Sequence, residues 1–281
     1  MKNVCVIGSG IMGSGIAQLC ATHGYNVNLV DINVEILENV KVAIENNLER
    51  FFLRKNKISE DEKNKILNRI NINTNKEESV KGTEIVIEAI FEDMSLKQQL
   101  FSELDTICKR EVILASNTSS LSISDIASKS ELQERIVGIH FFNPAPVMKL
   151  IELVRGKKTS DETFEKAKNF SESLNKTVVS VRDSPGFVTS RLIYVFCNEA
   201  IEILRDRIAS AEDIDIACKL AFNFPMGPLE LSDLVGNDIY YHIGEYLTKK
   251  LGKKFQTSKL LKKMVDDDLL GRKTKRGFFD Y

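Results

Sequence analysis

Asn3-Val4-Cys5-Val6-Ile7-Gly8-Ser9-Gly10-Ile11-Met12-Gly13 stands at the head of the chain and decides how the rest is read. Asn3 to Ile7 is a short β-rich apolar run of the kind buried in a parallel sheet. Ile11 to His23 has helical spacing and is stopped by Gly24, and Asn26 to Val30 is a second strand ending at Asp31. The three glycines therefore fall in a strand-to-helix turn. The first permits the tight turn, the second lets backbone approach a pyrophosphate, and the third lets helix and strand pack closely, with the anion at the helix N-terminus. Asp31, eighteen residues past Gly13, is placed to accept hydrogen bonds from an adenosine ribose. A 2′-phosphate there meets a like charge, at a cost on the order of 4 kcal/mol at 4 Å with an effective dielectric of 20. Neither Ile32 nor Asn33 supplies a compensating cation, so the expected dinucleotide is NAD rather than NADP, held by Gly8, Gly10, Ile11, Met12, Gly13 and Asp31.

Working outward, Val34 to Arg69 is a long polar helical stretch with a turn signal from Asn56 to Ser59, which predicts two helices projecting beyond the core. Glu84 to Ile90 and Val112 to Ala115 are β-rich and flank the amphipathic stretch Ser95 to Cys108, continuing the alternation of a parallel sheet. Arg135 to Phe142 and Met148 to Val154 are separated only by the turn Asn143-Pro144-Ala145-Pro146, which predicts antiparallel neighbours. A helix from Asp161 to Leu174 and a strand from Thr177 to Val181 follow. Asp183-Ser184-Pro185-Gly186 ends the alternation, and the rest reads as helices: Thr189 to Leu204, apolar enough to be buried on most sides, then Ser210 to Leu220, Leu234 to Leu251 and Thr257 to Asp266. The expected fold is α/β, a Rossmann-type dinucleotide-binding domain with a helical-hairpin insertion over residues 1–184, and an all-α domain over residues 185–281.

Composition narrows the classes. The 39 basic residues nearly cancel the 40 acidic ones, so net charge implies no nucleic-acid partner. Basic clusters at Arg50 to Lys57 and Lys249 to Lys254 read mostly as solvated helix faces. No apolar run approaches membrane-spanning length, and no membrane partner or metal site is expected. Five scattered cysteines without a Cys-x-x-Cys pair fit reduced thiols used as small apolar residues, and the first strand-like run is too short for a signal segment. The expected location is the cytoplasm.

Of three histidines, His23 closes the first helix and His242 lies in a polar helical stretch. His140 instead lies near the end of a sheet strand, where ligands of open α/β sheets gather. Hydride transfer from an alcohol needs a group that takes the hydroxyl proton near neutral pH, which imidazole does. Glu152 sits on the facing strand inside Leu150-Ile151-Glu152-Leu153-Val154, and a carboxylate there needs a partner. On spacing alone the pair reads more readily as a satisfied core histidine and an edge-strand charge. The residues by themselves define a dinucleotide-dependent oxidoreductase without a substrate.

Six ordered motifs carry a resemblance over essentially the whole chain: the opening fingerprint, Glu88-Ala89-Ile90-Phe91-Glu92, Ser116-Asn117-Thr118-Ser119-Ser120-Leu121, His140-Phe141-Phe142-Asn143-Pro144, Asp183-Ser184-Pro185-Gly186-Phe187 and Pro225-Met226-Gly227-Pro228. Together they resemble the L-3-hydroxyacyl-CoA dehydrogenase family, most of all its short bacterial 3-hydroxybutyryl-CoA members. The resemblance implies that His140 is the acid/base, that Glu152 orients it, and that the hydroxyl of Ser119 bonds the reacting oxygen. It implies NAD contacts for Asn143, Glu92, Lys97 and Lys273, a plain surface charge being the alternative for the last three. Asn47 and Arg54 match coenzyme A contacts, and Arg54 suits phosphate. The implied partners are a small acyl-CoA substrate and a second copy of the chain, in fatty-acid and butanoate metabolism.

One position departs from the family. Where it usually has Asn-Arg after Pro-Gly-Phe, this chain has Ser190-Arg191. If the missing amide made an ordinary substrate contact, its loss costs roughly 0.5–1.5 kcal/mol; if it met developing negative charge, roughly 3–4 kcal/mol. Two other readings stand beside the main one: a dehydrogenase of a free hydroxy acid, and a catalytically silent homologue, against which His140 and Glu152 argue. Apolar stretches at Leu192 to Phe196 and Leu229 to Val235 exceed what one small helical layer buries, which predicts a homodimer through this domain.

Overall fold

The computed structural model describes residues 1–55 and 57–281, the side chains of residues 51 and 52 excepted, so the turn expected from Asn56 to Ser59 begins outside the described residues. The chain divides into two compact units, Met1–Asp183 and Ser184–Tyr281. In the first, β1 (Asn3–Ile7), α1 (Ile11–Thr22) and β2 (Asn26–Val30) form the opening βαβ unit. There follow α2 (Val34–Leu48), α3 (Glu60–Asn68), β3 (Ile70–Asn73), α4 (Lys76–Ser79), β4 (Ile85–Glu88), α5 (Met94–Ile107), β5 (Ile113–Ser116), α6 (Ile123–Ile126), β6 (Ile136–Phe141), β7 (Leu150–Arg155), α7 (Asp161–Ser173) and β8 (Thr177–Arg182).

Among the described residues these strands form one eight-stranded sheet in the order β3-β2-β1-β4-β5-β6-β7-β8. The first six are parallel, β7 runs antiparallel to β6, and β8 is parallel to β7. Helices start where side chains can cap them. Asn33 accepts the Glu35 amide, Ser59 and Glu62 close a capping box, and Asp93 accepts the Leu96 amide. Each satisfies an N–H that the helix itself leaves orphaned.

The helical stretch after Asp31 is the crossover from β2 to β3, a four-residue strand that the sequence leaves unassigned. Its inner face is core: Leu37, Ile44 and Leu48 are buried to 1% or less and pack with Ile66 into the cluster that holds Val4, Ile16 and Leu29. At about 1.5–3 kcal/mol for each buried side chain, this burial fixes the crossover against the domain. Its outer face, with Asn47, is exposed.

The second unit contains α8 (Thr189–Arg205), α9 (Ala211–Phe222), α10 (Pro228–Val235), α11 (Asn237–Leu251) and α12 (Lys259–Asp266), around Tyr194, Cys197, Ile201, Leu229, Tyr240, Leu247 and Leu261. Two expectations are corrected. Leu234 to Leu251 is not one helix, because Gly236 takes φ +112° and the Asn237 side chain pins the break, accepting from Ser232 Oγ and donating to Asp233 Oδ1. Nor is α8 buried on most sides: its core stripe is Tyr194, Cys197 and Ile201, while Leu192 stays 67% exposed.

Candidate active site

The order of the sheet reverses between β1 and β4, the kind of switch point at whose carboxyl strand ends open α/β sheets bind ligands. Gly8, at φ +97°, lies so close to β4 that a Cβ would sit 2.5 Å from the Ala89 carbonyl oxygen. Gly13 is tighter still, since a Cβ there would fall 1.7 Å from the Gly8 oxygen, so only glycine lets α1 come this near the turn. At Gly10 a Cβ would meet nothing within 4 Å. The cradle is thus closed at its two outer glycines and open at the middle one, at the N-terminus of a twelve-residue helix, which fits a pyrophosphate.

Asp31 ends β2 beside this turn. Its Oδ2 accepts from the Ser9 amide and hydroxyl, both at 2.7 Å, and its Oδ1 accepts from the Ile32 amide at 2.8 Å. The carboxylate is thereby fixed in place as an acceptor. Ile11 and Ile32 flank the turn as exposed apolar side chains, and Met12 packs partly buried against the core.

His140 and Glu152 are register partners across β6 and β7, so their side chains leave the same face of the sheet. His140 Nδ1 stands 2.8 Å from Glu152 Oε2. Glu152 is wholly buried because β8, not β7, forms the sheet edge and pairs Val179 with it. His140 is 6% exposed, and its ring packs on Phe142, with ring centroids 4.4 Å apart. Asn117 steadies this end of β6 by accepting the Phe141 amide at 2.9 Å.

Ser119 follows β5. Because Ser116 pairs with Gly138, the chain leaves β5 alongside the last residues of β6, where His140 stands. Glu92 Oε1 accepts from Thr118 Oγ1 at 2.6 Å and from the Ser119 amide at 3.1 Å, with the Ser119 hydroxyl at 3.4 Å. Lys97 is no surface charge: it is 1% exposed, 2.5 Å from Glu88 Oε1 and 3.2 Å from Glu92 Oε2. Sequence reasoning missed Glu88. The signal was available, since a carboxylate ending an apolar strand demands a partner just as Glu152 does.

The remaining candidates are spread through the two units. Asn143 is exposed in the β6–β7 turn, and Asn47 lies on the outer face of α2. Arg54 is mostly exposed and pairs with Glu49 at 2.9 Å. In the second unit, Ser190 is buried in the first turn of α8 and Lys273 pairs with Asp238. Among the described residues no helix is long and apolar enough to cross a membrane, and no three His, Cys, Asp or Glu side chains gather to hold a metal ion.

A dinucleotide cradle at the reversal of the sheet, with an imidazole held by a buried carboxylate two strands beyond β4, defines a dinucleotide-dependent oxidoreductase as a class. Comparison with known proteins narrows it. Residues 3–184 match the family model described as 3-hydroxyacyl-CoA dehydrogenase, NAD binding domain, and residues 186–281 match that of the same family's C-terminal domain. The chain is 44% identical over 279 residues to a 3-hydroxybutyryl-CoA dehydrogenase of Clostridioides difficile, covering 99% of each. It shares a TM-score of 0.96 and 40% identity with the crystal structure of the (S)-3-hydroxybutyryl-CoA dehydrogenase of Ralstonia eutropha, over 100% of this chain and 99% of that one. The chain therefore belongs to the 3-hydroxyacyl-CoA dehydrogenase family, and its first unit is an NAD-binding domain of Rossmann type.

Proposed function

We propose that the protein interconverts (S)-3-hydroxyacyl-CoA, foremost 3-hydroxybutanoyl-CoA, and the matching 3-ketoacyl-CoA, here acetoacetyl-CoA, with NAD(H). The observation that carries this reading is the 2.8 Å pairing of His140, near the carboxyl end of β6, with Glu152 on β7, in the same sheet as the cradle. When bound, NAD supplies the acceptor for the hydride that leaves C3. Proton handling falls to the protein. With Nδ1–H donated to Glu152, the Nε2 lone pair takes the 3-hydroxyl proton as the carbonyl forms, and Glu152 stabilises the resulting imidazolium. In the reducing direction the imidazolium returns that proton to the ketone oxygen. Ser119, set by Glu92, bonds the reacting oxygen.

The glycine turn, Asp31, Glu92, Lys97, Asn143 and Lys273 are proposed as NAD contacts, and Ser190 as a substrate contact. Asn47 and Arg54 face the coenzyme A moiety. Cysteine usage supports a cytoplasmic protein, and the substrate class supports a place in fatty-acid and butanoate metabolism.

NADH oxidation with acetoacetyl-CoA tests this directly. The thioester is turned over, free acetoacetate is not, and NADPH is used less well by up to about a thousandfold, because Asp31 repels a 2′-phosphate. A folded, NADH-binding protein that spares acetoacetyl-CoA but reduces a free keto acid overturns the assignment. We further propose a homodimer through the second unit, supported by the exposure of Leu192, Val195, Leu220 and Phe222. Sedimentation at micromolar concentration is expected to give twice the chain mass, and monomer alone at that concentration refutes it.

A further inference from the structure

Glu88 closes β4 with no part of it exposed, in a motif that gave it no task. Its Oε1 accepts from Lys97 Nζ at 2.5 Å and from the Ile90 amide at 2.8 Å, and its Oε2 accepts from Ser116 Oγ at 2.6 Å. Burial pushes the Glu88 carboxyl above the usual range, while the Lys97 ammonium and the Ser116 hydroxyl oppose that shift. A side chain as buried as Lys97 needs a buried counter-charge beside it. Glu88 is that counter-charge, since the other carboxylate on Lys97, Glu92, has a side chain 39% exposed.

The bonds continue outward in one direction. Lys97 holds Glu92 Oε2 at 3.2 Å, and the other oxygen of Glu92 holds Thr118 and both the amide and the hydroxyl of Ser119. The string runs from the end of β4, through α5 and the loop before it, to the turn after β5. Each link involves an ionised group: the Glu88–Lys97 and Glu92–Thr118 bonds are short, at 2.5 and 2.6 Å, Lys97 and Glu92 form an ion pair at 3.2 Å, and Ser119 is reached through its amide at 3.1 Å and its hydroxyl at 3.4 Å.

We infer that Glu88 is a positioning residue of the reaction, fixing the Ser119 hydroxyl through Lys97 and Glu92. The inference rests on the role proposed for Ser119 above. Glutamine at Glu88 keeps the shape and an acceptor for the Ile90 amide but removes the charge. Lys97 then keeps only neutral acceptors inside, the amide oxygen and the Ile90 carbonyl at 3.4 Å, and has Glu92 as its remaining counter-charge, so it is drawn outward, Glu92 loses its fixed inner anchor, and Ser119 is no longer held on its bearing.

A double-mutant cycle on kcat tests this, with a melting curve and an NADH titration for each variant. Glu88→Gln is expected to lower kcat roughly tenfold in the parent. In the Ser119→Ala background it is expected to change kcat by less than about twofold, because the group it acts through is gone. Losses that multiply in the two backgrounds show a general disturbance of the fold and overturn the inference alone. A Ser119→Ala variant with unchanged kcat overturns the role of Ser119 and the inference with it. If Glu88→Gln does not fold, Ser116→Ala, which takes one donor from Glu88, is read in the same cycle with the same two outcomes.

Discussion

His140→Ala is expected to bind NADH like the parent and to lose turnover by roughly a thousandfold. Among the described residues, Glu92 is engaged by Thr118 and Ser119, Lys97 lies between two carboxylates and Glu152 is wholly buried, so none of the three is set to take over its proton. The cradle that would hold NADH is built from β1, β2 and β4, so deleting a ring on β6 leaves it intact. The change also removes a hydrogen-bond donor from a wholly buried carboxylate, at a cost of about 1–3 kcal/mol in stability. His140→Gln separates the two effects, since its amide still donates to Glu152 yet carries no transferable proton. Both variants are expected to be inactive, with the glutamine variant melting closer to the parent. Turnover within about tenfold of the parent in either one would place the proton carrier elsewhere.

Much of this was legible in the residues, and the rest was hidden for identifiable reasons. The opening strand, turn and helix declared themselves because each glycine has a separate steric task. The short Asn143 to Pro146 turn left the strands on either side no choice but to run antiparallel, which is what sets His140 opposite Glu152. Strand β3 was lost because Ile70-Asn71-Ile72-Asn73 is a four-residue edge strand that starts directly after a helix, too short for a period of two to stand out. The break at Gly236 was lost because one glycine inside a helical pattern is weak punctuation, and what decides it is a positive φ together with the side chain of Asn237. The alternative of a plain surface charge stayed open for Lys97 because its partner lies on a different element. Helical spacing carries no record of Glu88 nine residues earlier, or of Ser116 on the neighbouring strand.

Glu152→Gln is the sharper test of the dyad, because it changes one charge and almost no volume. Glutamine can turn either its oxygen or its amide group toward His140 Nδ1. With the amide facing the ring, Nδ1 becomes the acceptor and the proton moves to Nε2, the nitrogen that has to receive the substrate proton. With the oxygen facing it, the tautomer survives but no negative charge offsets the imidazolium. Both outcomes raise the barrier, and in a serine hydrolase the equivalent change lowers kcat about ten-thousandfold. A loss of roughly a hundred- to ten-thousandfold in kcat is expected here. Stability is expected to change little, because a wholly buried carboxylate has been exchanged for a neutral amide of nearly the same shape that can still hydrogen-bond the ring. The enzyme does not alter the equilibrium between hydroxyacyl and ketoacyl thioesters. With NAD and NADH affinities unchanged, kcat/KM for the two thioesters must therefore fall by the same factor in both directions. Measuring oxidation and reduction side by side checks this. A loss confined to weaker NAD binding would show that Glu152 shapes the cofactor site and not the proton transfer.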